Sequence, residues 1–214
     1  MESKEEKYLT MEIKRINTYR DPRFSQTVLN QHGCFLADGE PYEVEIISHY
    51  EAIIRGREEA VYPEIIEDFR FYTPHITTFY NEKKALVKEF PSVQLLTLAL
   101  KDIQPSQFYV DADKVSAVST FLRSGDDIII QVLKDGSRYI SLDGHTRLYY
   151  AVSMGWRYVR AVEEVSGDYI YGFVEEASKR NVFTPYDLPM IPHEEYEIRW
   201  NKFCDDFFSG KENE

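Results

Sequence analysis

The sequence predicts an α+β fold. Strand-like alternations break at Asp-Gly turns, helical-period apolar stripes lie among them, and no internal repeat or low-complexity linker interrupts the mixture. Asp21-Pro22-Arg23-Phe24 can open a short helix with proline in its first turn, running through Val28 and Leu29 to Gly33. The run 34–46 divides into two strands about Asp38-Gly39, and 50–54 supplies a third. Over 63–71, Ile65, Ile66 and Phe69 share one side of a helix. The runs 76–80 and 85–90 then form a hairpin across Asn81-Glu82-Lys83-Lys84. Residues 1–91 are read as an N-terminal α+β region of no recognised family and unknown role.

That region offers little chemistry. His32 stands two residues from Cys34, but zinc needs about four ligands and no second pair has suitable spacing. A helix ending in His-Gly is the simpler reading. His49 and His75 sit beside tyrosines and read as packed or half-exposed residues. Glu43, Glu45 and Glu51 have the period of a solvated strand face rather than of a metal site.

The second half carries the informative segment, Leu142-Asp143-Gly144-His145-Thr146-Arg147. Before it, Arg138 to Leu142 alternates after an Asp135-Gly136 turn signal and reads as the second arm of a hairpin. After it, Leu148, Ala151, Val152 and Met154 recur at helical spacing, and Gly155 is placed to stop the helix as a left-handed cap. Gly144 allows a sharp turn and close backbone approach to a ligand. His145, Thr146 and Arg147 add donors at a helix N-terminus, whose amides and partial positive charge already favour anions. An ordinary capped helix with a solvated arginine is the alternative.

From His193 onward, Tyr196, Trp200, Phe203 and Phe207 fall at steps of four, three and four, placing four aromatics on one helical stripe. Such a stripe must be buried, on its own domain or in a homo-oligomer. Pro185, Pro189 and Pro192 suggest a braced extended arm leading into it. Residues 92–184 and 185–214 are therefore separated as a central domain and a proline-braced arm with a C-terminal aromatic helix.

Charge limits the partners. Lys+Arg number 25 against 37 Asp+Glu, a formal net charge of -12, which lacks the footprint of a duplex DNA binder. No stretch reaches the roughly twenty apolar residues of a membrane helix, and Met1 to Glu6 has no apolar signal core, so the expectation is a cytoplasmic protein without a membrane partner. The two cysteines, Cys34 and Cys204, fit reduced packed thiols.

The segment 103–165 resembles the ParB/sulfiredoxin superfamily. Ile103-Gln104-Pro105-Ser106-Gln107-Phe108 is similar to that family's first strand and proline turn, and Val115, Val118, Phe121 and Leu122 mark the helix that follows. Ile128 to Leu133 resembles the next strand, Asp143-Gly144-His145-Thr146-Arg147 falls at the phosphate-binding box, and Tyr158 to Val162 resembles the strand after it. The box is most similar to the Asp-Gly-His-His-Arg type of the free-serine kinases, with Thr146 in place of a histidine. In those kinases a glutamate acts as base after a Pro-His pair; here Pro105-Ser106 is followed by Gln107, whose amide cannot accept a proton as a general base. Sulfiredoxins carry a cysteine where this chain has Gly144. Partition-type relatives carry a Glu-Arg-Arg box that binds CTP, and a helix-turn-helix domain; neither is seen here.

The resemblance implies a nucleotide, ATP, ADP or CTP, bound through Gly144, His145, Thr146 and Arg147, with Mg2+ as a further candidate. Asp143, His145 and Glu163 are the candidate catalytic residues: Asp143 to orient His145 or hold the magnesium ion, Glu163 because it leaves the strand after the box where the kinases keep an acidic residue. No residue is assigned as a protein metal site. Two functions follow. One is a phosphotransferase or phosphohydrolase acting on a small molecule; the other is a non-catalytic nucleotide-sensing or interaction protein related to partition-type ParB domains.

Overall fold

The computed structural model describes residues 11–211, so the charged start, Met1 to Glu6, lies outside the described residues. The chain is α+β and forms two compact units, Met1–Pro91 and Ser92–Glu214. Of the segment 185–214, separated above as an arm and helix, Leu188, Trp200 and Phe203 pack into a core cluster of the second.

Among the described residues of the first unit six strands lie in sequence order: β1 (Ile13–Arg15), β2 (Cys34–Ala37), β3 (Glu40–Ile46), β4 (Glu51–Gly56), β5 (Thr78–Tyr80) and β6 (Leu86–Glu89). Only the β4–β5 pairing is parallel, because a helix, α2 (Tyr62–Tyr72), carries the chain back between them. Tyr62, Ile65, Ile66 and Phe69 recur on one face of α2, and all four are buried. Phe69 meets Phe35 and Phe79 edge-on at 6.3 and 6.2 Å, which fixes the helix on the sheet.

The first helix, α1 (Gln26–Gln31), starts later than its sequence suggests. Asp21 opens a turn instead: its carboxylate accepts the Arg23 amide at 3.0 Å and pairs with the guanidinium at 2.6 Å, leaving Pro22 before the helix. At the other end His32, not Gly33, takes the left-handed cap position (φ 57), and its ring bonds the Tyr19 hydroxyl at 2.6 Å. Glu43 and Glu45 share Arg55, whose guanidinium lies 3.9 and 2.5 Å from them.

The described residues of the second unit hold seven strands: β7 (Leu96–Ala99), β8 (Ile103–Pro105), β9 (Val110–Asp111), β10 (Ile129–Asp135), β11 (Arg138–Ser141), β12 (Tyr158–Glu163) and β13 (Met190–Ile191). Five make one sheet in the order β7-β12-β10-β11-β8; β9 and β13 pair separately in parallel. Helices α3 (Ala112–Val118) and α4 (His145–Ser153) cover this sheet through Val118, Leu148 and Ala151, packed on Ile103, Ile130, Val132 and Val159. Four elements of this unit, β7, the short strands β9 and β13, and α5 (Tyr169–Lys179), have no counterpart in the expectations above. Helix α5 hides its identity with a mid-helix Gly172, which is there because a Cβ would stand 2.8 Å from the Phe207 ring.

The C-terminal helix runs as α6 (His193–Tyr196), a π-turn (Glu197–Asn201) and α7 (Lys202–Lys211). Its aromatic stripe is spent inside the unit. Trp200 and Phe203 each approach Phe108 at 5.0 Å between ring centres, and Phe207 lies 4.4 Å from Phe173.

Candidate functional site

The sheet delivers two strand ends to one place. Pro105, the last residue of β8, is paired with Ser141, the last of β11. Three residues later α4 begins, with Gly144 at its N-cap in the left-handed region, φ 85. A Cβ here would lie 2.4 Å from Ile130 Cγ2, so both the backbone conformation and the space require glycine. The first turn of α4 thus presents the backbone amides that no helical carbonyl can reach.

His145 turns inward. Its ring is buried, 6% exposed, and Nε2 lies 3.2 Å from the backbone nitrogens of both Ser106 and Gln107 and 3.0 Å from Ser141 Oγ. Backbone N–H groups only donate, so Nε2 is the acceptor and the ring is neutral with its proton on Nδ1. Burial lowers its pKa to about 4, against opposing contributions from Asp143 and a hydrogen bond to the Ser141 backbone. The imidazole is a bracket between the β8–β9 loop and the box. What His145 offers a ligand in this arrangement is its backbone amide.

Arg147 is held from two sides. One guanidinium nitrogen donates to the Ile129 carbonyl at 2.5 Å, and the other to Asp143 Oδ2 at 3.0 Å. The alternative of a solvated arginine does not describe this side chain, which ties the box to β10. Its partner Asp143 remains half exposed, and an incoming anion would compete with it for the guanidinium. Thr146, in the same turn, is partly exposed. Glu163 is exposed at the end of β12 and shares one cross-strand row with Val132, Ser141 and Pro105. Two strand spacings put its backbone about 10 Å from that of Ser141, on the same face. Among the described residues no group of three or more His, Cys, Asp or Glu could hold a metal ion, so a magnesium ion here would rest on Asp143 and on a nucleotide's own phosphates.

A second layer stands behind the box. The Gln107 backbone amide donates to His145 while its side-chain amide donates to the Tyr109 carbonyl and, at 3.3 Å, to the Tyr196 hydroxyl. Lys114 reaches the same hydroxyl at 3.4 Å and lies over the Tyr196 ring. Asp111 caps α3 through the Asp113 amide and binds His193 Nδ1 at 2.8 Å, which commits it to structure. That ion pair raises the pKa of His193. Ser106, Ser141 and Lys114 were not legible as site residues, because their roles come from neighbours distant in sequence.

No family model and no curated protein sequence matches the chain. Among solved structures, the crystal structure of protein Atu1540 from Agrobacterium tumefaciens is similar over 45% of this chain and 62% of that one, with 18% identity and a TM-score of 0.33. The overlap covers less than two thirds of that protein, and a likeness so distant carries no argument about function.

Proposed function

We propose that the Asp143–Arg147 box binds a phosphate group, that of ATP, ADP or CTP, in a cytoplasmic protein of ParB/sulfiredoxin-like type. The observation that carries this reading is the left-handed Gly144 feeding the N-terminus of α4 with Arg147 alongside. The order of β8, α3, β10, β11, box and β12 supports the family part of it. For the location, the support is that no helix of the described residues is long and apolar enough to cross a membrane. In an enzyme of this design the amides of Gly144 to Thr146 and the Arg147 guanidinium would hold phosphate oxygens and stabilise charge as the bond breaks. A phosphotransferase or phosphohydrolase acting on a small molecule fits that inventory, with Asp143 or Glu163 as the acid or base. Asp143 would hold a magnesium ion, which would supply charge neutralisation for the phosphates.

Opposed variants test the binding. Arg147→Ala is expected to weaken inorganic phosphate or nucleotide binding by on the order of 1.5–3 kcal/mol, roughly 10- to 150-fold. Asp143→Asn should instead tighten binding of the magnesium-free anion, because it removes a competitor for Arg147. Isothermal titration of both variants checks this. Equal affinities in the parent and both variants would place the anion elsewhere or nowhere.

One observation favours the non-catalytic alternative, a nucleotide-sensing or interaction protein. Gln107 stands where the resemblance puts a base, and its side-chain amide is held by Tyr109 and Tyr196. We therefore expect feeble free-serine kinase activity, with Gln107→Glu gaining phosphoserine formation from ATP or ADP; loss of a general base typically costs about 10²–10⁴-fold. Robust phosphoserine formation by the parent chain would show that another residue is the base.

A further inference from the structure

The loop from Ser106 to Asp111 is gripped at both ends. On one side the backbone amides of Ser106 and Gln107 sit on His145 Nε2, the bracket beneath the box. On the other, the C-terminal helix holds successive residues. Tyr196 takes the Gln107 amide, Trp200 and Phe203 enclose Phe108, Arg199 stacks over the Tyr109 ring at 4.2 Å and bonds its hydroxyl, and His193 pairs with Asp111. Phe108 and Asp111 are each 1% exposed, and Gln107 is 8% exposed, so the contacts at these three residues are buried where they meet the loop, while that of Tyr109 with Arg199 lies at the surface.

We infer that the C-terminal helix is a strap that sets the box: its docking fixes the 106–111 loop, and the loop fixes His145 and the first turn of α4. Gln107 is the positioning residue at the junction, since one residue joins His145 through its backbone and Tyr196 through its side chain. A side-chain amide released from Tyr196 while still buried would lose a partner it cannot replace from water, and the loop would shift to recover one. The box and the helix are then one cooperative element in which ordering either end favours the other. The mechanical coupling exists with or without a ligand; its use as a response to occupancy rests on phosphate binding at the box, and makes helix 193–211 the segment that reports it.

Hydrogen exchange on the full chain separates these statements. Tyr196→Phe keeps the ring and removes only the hydroxyl, while Trp200→Leu loosens the grip on Phe108. Both are expected to speed exchange of the 144–148 amides by about fivefold or more, with the β10 and β12 amides unchanged. Box exchange that stays at the parent rate while residues 193–201 exchange faster would overturn the strap, and so would a rise shared equally by the whole sheet. Inorganic phosphate added to the parent should slow both the box and residues 193–200. Slowing at the box alone would overturn the response to occupancy; no slowing at the box would instead remove the phosphate reading, leaving the strap to stand or fall on the two variants.

Discussion

Gly144→Ala is expected to destabilise the second unit by about 2–5 kcal/mol, a large fraction of a domain stability of roughly 5–15 kcal/mol. Two costs add. An L-residue held at φ 85 loses about 1–2 kcal/mol to its own backbone. The new Cβ would also stand 2.4 Å from Ile130 Cγ2 and 3.1 Å from Ile130 Cβ, and overpacking of this kind costs typically 1–3 kcal/mol. Ile130 cannot easily yield, being β-branched and 1% exposed on the sheet that carries the box. Gly136→Ala is the control. It is also left-handed, φ 58, but a Cβ there meets nothing within 4 Å, so only the backbone cost applies. Urea unfolding of the two variants measures the difference, and equal midpoints would show that the box accommodates a side chain by moving off Ile130.

The contrast between these glycines shows what the sequence makes legible. A glycine between a strand run and a helix run announces a turn, so the box, β10, β11 and α4 could be read from local pattern. The clash that makes Gly144 irreplaceable comes from β10, across the sheet. The same division explains the other outcomes. Strand β7 is four residues long and owes its existence to pairing with β12, some sixty positions later, which no local alternation announces. The aromatic stripe from Tyr196 to Phe207 required burial, but its contact with Phe108 comes from a loop some ninety positions earlier and its contact with Phe173 from an α5 whose glycine disguised it. At the site itself the residue types were readable and their directions were not. His145 reads as a side-chain donor to a bound anion because it opens a helix, yet Ser106 and Gln107, nearly forty residues earlier, hold its ring in the interior. Arg147 reads as a ligand for the anion, and nothing local announces that the Ile129 carbonyl also takes one side of its guanidinium.

The buried imidazole gives the fold an acid-sensitive point. In the unfolded chain His145 takes up a proton near pH 6.5; in the folded protein burial holds that step down to about 4. Between those values the unfolded state binds the extra proton, so stability rises with pH. His145 therefore contributes fully above about pH 6.5 and progressively less as the pH falls through 4. The lowering from 6.5 to about 4 corresponds to on the order of 3 kcal/mol for this side chain, which is 6% exposed. His193 acts in the opposite sense, since its partner Asp111 raises its pKa and favours the folded state at low pH, but its half-exposed ring is screened and contributes little. Protonation of His145 would also break the bracket directly, because a doubly protonated ring cannot accept the Ser106 and Gln107 amides. Unfolding midpoints at pH 7.5, 6, 5 and 4.5 should thus fall steeply in the parent. His145→Asn should start lower at pH 7.5, by about 1–3 kcal/mol for each amide left without its acceptor, and then change much less with acid. Parallel curves for the two proteins would mean that the acid sensitivity belongs to other groups and that His145 is not the buried neutral bracket assigned to it.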